Sequence, residues 1–197
     1  MKPINKLDIS FDVTKLKELL LNSDMFGELT MRSDGEDSPH KEMTDIWVRY
    51  KDPKPHFKSG DWSEFVAAHE SVWLKDIPEV KDICTSLMSY LFGEKLGGVL
   101  ITKLPPKGEI KPHFDEGWHA KEYDKYYLPI LNEKGAIFSF DCCSIDPKEG
   151  DIYAFRNDKT HWVNNNSNSD RIAMIICIKQ NKLSKEGLCL GDTQQQQ

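Results

Sequence analysis

Leu104-Pro105-Pro106-Lys107-Gly108-Glu109-Ile110-Lys111-Pro112-His113-Phe114-Asp115 reads as a tight turn running into a short strand that ends in a histidine, with a carboxylate two positions on. Proline presets the backbone angle of a turn and glycine admits conformations closed to other residues, so residues 105–108 reverse the chain. Side chains alternate across a strand, which places His113 and Asp115 on one face if the backbone bends little between them. The same texture extends outward from about residue 97. Short apolar or alternating runs fall at 99–104, 109–113, 125–131, 136–141, 142–145, 151–155, 161–164 and 171–179, punctuated by turns such as Asp146-Pro147-Lys148-Glu149-Gly150 and Asn157-Asp158-Lys159. Runs of this kind predict an antiparallel barrel or sandwich, and eight of them suit a jelly roll. In the last of them Arg171, Ala173, Ile175 and Cys177 share one face; Ile172, Met174, Ile176 and Ile178 share the other, which we assign to packing against N-terminal helices.

The N-terminal half has a different period. Asp12 precedes Leu16, Leu19 and Leu20 on one helical face, predicting a helix over 13–22; residues 32–41 form a polar loop and Thr44–Tyr50 a strand closed by Asp52-Pro53-Lys54-Pro55. Asp61 with Glu64 resembles a capping box opening a helix through Phe65, Val66 and His69. After Pro78, the residues Val80, Ile83, Cys84, Leu87, Met88 and Leu91 mark the buried stripe of a further helix, with Gly93 as its stop. The expected organisation is a single domain over 1–197: helical support with one or two strands at 1–96, a β core at 97–179 and a tail at 180–197 whose glutamine run at 194–197 carries no assigned function.

A hydrophobic content of 39% is ordinary for a soluble globular chain, and the N-terminus lacks the apolar run of a signal peptide. No stretch approaches the roughly 20 apolar residues that span a bilayer, so no membrane partner is expected. The five cysteines are odd in number and lack paired C-x-x-C spacing, which argues for reduced thiols and a cytoplasmic protein rather than a disulfide framework or a zinc ribbon. A net charge of −6 and a pI near 5.5 disfavour nucleic acid as a partner.

The chemistry concentrates in four residues. His113, Asp115 and His161 are the two-histidine, one-carboxylate set that holds non-haem Fe(II) on one face and leaves positions open for a co-substrate and O2. Arg171 adds a planar fork suited to a carboxylate. A lone histidine in a β-rich chain is more often an ordinary polar residue than a ligand. Here His113 and Asp115 close one strand, His161 opens another after a polar turn, and a hairpin through 165–170 returns Arg171 close to His161.

At these residues, with Tyr127-Leu128-Pro129-Ile130, Gly150-Asp151-Ile152-Tyr153-Ala154-Phe155 and His161-Trp162-Val163-Asn164, the sequence resembles the Fe(II)/2-oxoglutarate-dependent dioxygenases over residues 97–179. Within them it is most similar to the aspartyl/asparaginyl β-hydroxylase-like group, which includes small proline hydroxylases. The resemblance implies a mainly β, cupin-like double-stranded β-helix with N-terminal helices on its major sheet. It implies iron ligands at His113, Asp115 and His161, with Arg171 binding the distal carboxylate of 2-oxoglutarate and Thr102 assisting. Lys125 and Tyr127 stand where family members commonly carry arginine and histidine near the carboxylate next to the keto group; lysine loses the planar fork and tyrosine offers a hydroxyl instead of imidazole. Asp115 places the chain nearer the proline-hydroxylase-like members, since the vertebrate aspartyl hydroxylase type lacks the metal carboxylate. The implied reaction consumes O2 and 2-oxoglutarate, yields succinate and CO2, and hydroxylates an amino-acid side chain, free or within a peptide or protein.

Around this core, Asn164 or Asn166 is expected to orient the ring of His161. Trp118 and His119, on an apparent polar loop, are candidates for substrate or lid contact, and Arg49 for a substrate carboxylate, against a structural ion pair as the plainer reading. Cys142 and Cys143 are expected on opposite faces of a strand. The Asn165-Asn166-Ser167 acceptor pattern is expected to go unused. Rival readings are an oxygenase of another small molecule, or a cupin-like metal-binding or interaction module without turnover, for which Arg171 has no purpose. The sequence is silent on oligomeric state.

Overall fold

A computed structural model describes residues 2–52, 54–60 and 71–181. Among them, the chain runs through β1 (Ile4–Ser10), α1 (Thr14–Leu21), β2 (Thr44–Tyr50), α2 (Lys54–Ser59), β3 (Val72–Trp73), α3 (Pro78–Tyr90), β4 (Gly93–Leu104), β5 (Glu109–His113), α4 (Gly117–Glu122), β6 (Asp124–Leu131), β7 (Ala136–Phe140), β8 (Cys143–Ile145), β9 (Asp151–Phe155), β10 (His161–Asn165) and β11 (Arg171–Gln180). A seven-stranded sheet has the order β1-β9-β6-β11-β4-β2-β3, and a four-stranded sheet the order β5-β10-β7-β8. All pairings are antiparallel. This is the double-stranded β-helix the sequence predicts.

Two apolar clusters explain the layers. Leu16 and Leu20 of α1 and Val80, Ile83, Cys84 and Leu87 of α3 are buried against Ile46, Val99, Ile101, Leu128, Ile172, Met174, Ile176 and Ile178. The helices therefore cover the outer face of the larger sheet, using the side of β11 expected from its alternation. The second cluster lies between the sheets, where Leu104, Tyr127, Tyr153, Phe155 and Ala173 of the larger meet Ile110, Phe138, Phe140 and Val163 of the smaller. Burial of each large side chain contributes roughly 1.5–3 kcal/mol, so these two layers hold the β-helix rigid around its open end.

Several boundaries differ from expectation. β1 and β3 are additional N-terminal strands; β1 pairs with β9 at the sheet edge and alternates polar residues to solvent, leaving a weak apolar signal. The stop of α3 is Phe92, at φ 50°, rather than Gly93, which begins β4. Residues 117–122 form α4 where a loop was expected. The helix expected from Asp61 and the tail from 182 lie outside the described residues.

Cys142 and Cys143 do not face apart. Cys142 lies in the two-residue β7–β8 turn rather than on a strand and Cys143 opens β8, so alternation does not separate them; their sulfurs are 3.7 Å from each other, with Cys142 exposed. Cys84 and Cys177 are buried, and burial pushes their thiols up to about 12 and about 11. The thiolate is the reactive species. Brief alkylation of the native protein followed by peptide mapping is therefore expected to mark Cys142 and spare Cys84 and Cys177; equal labelling of the buried pair would contradict this packing.

Candidate active site

β5 and β10 bring the two histidines together, because His161 pairs with His113 across the ladder and a register shift follows between His161 and Val163. Asp115 lies just beyond β5, and its backbone N–H donates to Asn157 O at 2.8 Å, which ties it to the turn leading into β10. One potential ligand atom from each of His113, Asp115 and His161 lies within 4.8 Å of the others.

The ring orientations are set by backbone. His113 Nδ1 lies 2.8 Å from Lys111 O and His161 Nδ1 2.8 Å from Lys159 O. A carbonyl only accepts, so each Nδ1 carries the proton and each Nε2 keeps a lone pair free for a metal. These carbonyls, two residues before each ring, do the work expected of Asn164 or Asn166. Phe138, Phe140 and Phe155 pack on His161 with ring centroids 5.8, 5.8 and 5.4 Å away. Burial holds His113 below the ordinary histidine value and pushes His161 down to about 4. Burial raises Asp115, but the Lys125 ammonium, through its charge and a 2.6 Å hydrogen bond, together with the two imidazoles, outweighs it and leaves the carboxyl low. Near neutral pH the set is two neutral imidazoles and one carboxylate, the protonation state a metal requires.

The triad opens into a cavity of about 260 Å³ that Thr102, Lys125, Tyr127, Arg171 and His119 also line. Arg171 is only 3% exposed. Its Nη2 donates to the Tyr127 hydroxyl at 2.9 Å, while its Nε is buried without a hydrogen-bond partner. Thr102 is buried on β4 opposite Ala173, two residues along the ladder from the Leu104–Arg171 pair, so it shares the inner face with Arg171.

Other expected site residues are placed differently. Lys125 and Tyr127 both line the cavity, each already engaged there: Lys125 donates to Asp115, and the Tyr127 hydroxyl accepts from Arg171. His119 lies on α4 with its ring between those of Tyr50 and Tyr123, at centroid distances of 5.7 and 4.8 Å. A Cβ on Gly98 would come within 2.8 Å of the Tyr50 ring, so this close approach needs glycine. Trp118 is on the same helix; its side chain lies outside the description. Arg49 does not line the cavity: its Nη1 donates to Leu96 O and Gly97 O, and its guanidinium lies over Trp73. Arg49 is thus held by backbone carbonyls and a ring rather than by the ion pair expected as the plainer reading. Among the cavity residues given no site role from the sequence are Arg32 and His40, which stand on a polar loop with no periodicity.

The buried histidines have a consequence for stability. Burial pushes His119 down to about 4 as well as His161, and His40 down to about 2. The fold favours the neutral rings, so below pH 6.5 the unfolded chain binds protons that the native one refuses, and stability is lost as pH falls from 6.5 toward 4; His161 alone accounts for about 3 kcal/mol. The urea midpoint of the metal-free protein is expected to fall clearly between pH 7 and pH 5. A midpoint that holds or rises would contradict the burial of these rings.

A double-stranded β-helix with this triad and a buried arginine lining the same cavity defines an Fe(II)/2-oxoglutarate-dependent dioxygenase, and the donor set fits the ion: two imidazole nitrogens and one carboxylate. The profile of the aspartyl/asparaginyl β-hydroxylase family matches residues 29–181, and the chain belongs to that family. No curated protein matches the sequence significantly. Among solved structures, a collagen prolyl hydroxylase of Paramecium bursaria Chlorella virus-1, in complex with 2-oxoglutarate, superposes with a TM-score of 0.55 at 13% identity, over 91% of this chain and 97% of the other. A 2-oxoglutarate-Fe(II) oxygenase family oxidoreductase from Burkholderia pseudomallei gives 0.50 at 12% identity, over 71% and 67%. At such identities the likeness is one of fold.

Proposed function

We propose that the protein hydroxylates an amino-acid side chain, free or within a peptide or protein, and converts 2-oxoglutarate to succinate and CO2. The observation that carries this reading is the buried Arg171 fork sharing one cavity with His113, Asp115 and His161, since a purely structural metal site has no use for it. The two Nε2 atoms and the Asp115 carboxylate would hold Fe(II). Iron with 2-oxoglutarate and O2 supplies the oxidising power; the protein binds, orients and excludes water.

Arg171 takes the distal carboxylate of 2-oxoglutarate through Nε and an Nη, with Tyr127 holding the guanidinium plane and the Thr102 hydroxyl alongside. Lys125 lies on β6 in the same cavity and would serve the carboxylate next to the keto group. Phe138, Phe155, Val163 and Ala173 form an apolar wall that keeps bulk water from the reacting atoms. Family membership supports the amino-acid class of substrate, and the acidic balance of the chain counts against nucleic acid. The cysteine spacing supports a cytosolic setting.

The test is release of labelled CO2 from 1-carboxyl-labelled 2-oxoglutarate in the presence of Fe(II), ascorbate and air. Slow iron-dependent release that accelerates with amino acids or peptides is expected. None under any substrate mixture would overturn the reading. Tyr127→Phe removes one hydrogen bond to a charged group, worth roughly 1.5 kcal/mol or more, so its KM for 2-oxoglutarate is expected to rise about tenfold. An unchanged KM would show that Tyr127 does not position Arg171.

A further inference from the structure

Arg32 and His40 stand on the loop between α1 and β2 and line the same cavity as the triad. The loop is fixed from several sides. Ser38 Oγ donates to Arg32 O and accepts from His40 N, and Lys111 N donates to Pro39 O at 2.9 Å, which clips the loop to β5 two residues before His113. Arg32 Nη1 donates to Asp45 Oδ2 at 3.0 Å, and Asp45 is only 4% exposed. The His40 ring meets the His113 ring edge-on at 4.5 Å between centroids.

The hydrogen-bond inventory of this pair is incomplete in a specific way. Arg32 Nη2 lies 3.4 Å from His40 Nε2. Arginine has no acceptor, so Nε2 accepts and the ring proton sits on Nδ1. That Nδ1 is buried and has no hydrogen-bond partner. A buried N–H without an acceptor is costly, and its natural complement is an oxygen. Arg32 has N–H groups beyond the two engaged by Asp45 and His40, and its side chain is 27% exposed. Asp45 thus holds the guanidinium in place as a carboxylate orients a working arginine. The result is a cationic fork beside an unsatisfied neutral donor, next to His113 and separate from Arg171 on β11.

We propose that Arg32 and His40 form the subsite that binds the molecule to be hydroxylated, and that this molecule presents a free carboxylate to them. The proposal rests on the oxygenase reading above and narrows its substrate class to carboxylate-bearing amino acids or peptide C-termini. A carboxylate satisfies both donors at once, with charge assistance from Arg32.

The experiment uses full-length protein loaded anaerobically with Fe(II) and 2-oxoglutarate, and reads the visible charge-transfer band and then, in air, succinate. The probes are the common L-amino acids, each beside its carboxamide, and in a second arm Gly-Gly-X tripeptides with free or amidated C-termini. At least one free acid is expected to perturb the band and raise succinate formation, with its amide at least about tenfold weaker, the loss of a hydrogen bond to a charged group. The arm that responds identifies free amino acid or C-terminus as the source. In Arg32→Gln the acid and amide are expected to converge, with partial recovery in Arg32→Lys, while the concentration of 2-oxoglutarate that half-forms the band stays within about threefold of wild type, as expected for a group that does not touch it.

Equal response to acid and amide in the wild type would overturn the proposal, as would discrimination that survives in Arg32→Gln. A raised 2-oxoglutarate requirement in Arg32→Gln would assign Arg32 to the co-substrate instead. A normal band that no probe perturbs also counts against the carboxylate. Absence of the band from the wild type removes the oxygenase reading itself, a failure plainly different from these.

Discussion

His161→Ala is expected to abolish iron-dependent turnover. His161 is 6% exposed, its Nε2 is left free by the bond from Nδ1 to Lys159 O, and three phenylalanine rings fix its plane. Alanine offers no donor, and no described carboxylate, thiol or imidazole joins the triad cluster to replace it. Loss even of a group supporting a ligand typically costs 10–100-fold in metal affinity, so removing the ligand should weaken Fe(II) binding by at least roughly 100-fold. Calorimetric titration with Fe(II) under anaerobic conditions measures it. Wild-type-like affinity in a folded His161→Ala protein would remove the residue from the metal site.

Arg171→Ala should spare the metal and lose the co-substrate. Truncating one partner of a buried charged pair costs about 2–5 kcal/mol, which corresponds to a rise of roughly 30-fold to several thousand-fold in the dissociation constant for 2-oxoglutarate. Arg171→Lys is expected to fall between, because lysine keeps charge but cannot both reach Tyr127 and present a planar fork. Titration of the Fe(II) protein with 2-oxoglutarate distinguishes the cases; equal affinities in all three proteins would place the distal carboxylate elsewhere.

Much of this site was legible in the sequence because it is written in local pattern. His113 closes a strand preceded by turn residues, with Asp115 two positions on, and the parity of β11 counted from Arg171 separates its helix-facing from its cavity-facing side although both are apolar. What escaped depends on groups that sequence does not distinguish. Backbone carbonyls orient His113 and His161, and every residue has a carbonyl. β1 alternates polar residues on an edge, with few apolar positions to reveal it. The helix α4 is short and begins at Gly117 with φ 82°, so its residues resemble a loop. Arg32 and His40 are brought to the cavity by a loop whose path is set by distant contacts with Asp45 and Lys111. Arg49 shows the converse hazard: an arginine on a strand near the site is spent on β4 carbonyls.

The proposed function requires one cavity to hold iron and 2-oxoglutarate together. Anaerobic addition of 2-oxoglutarate to the Fe(II) protein, followed in the visible region, tests it most directly. A metal-to-ligand charge-transfer band that saturates with 2-oxoglutarate, and that vanishes in Asp115→Ala, is the predicted result. Tight binding of both components with no such band would show that they do not meet, and would contradict the account.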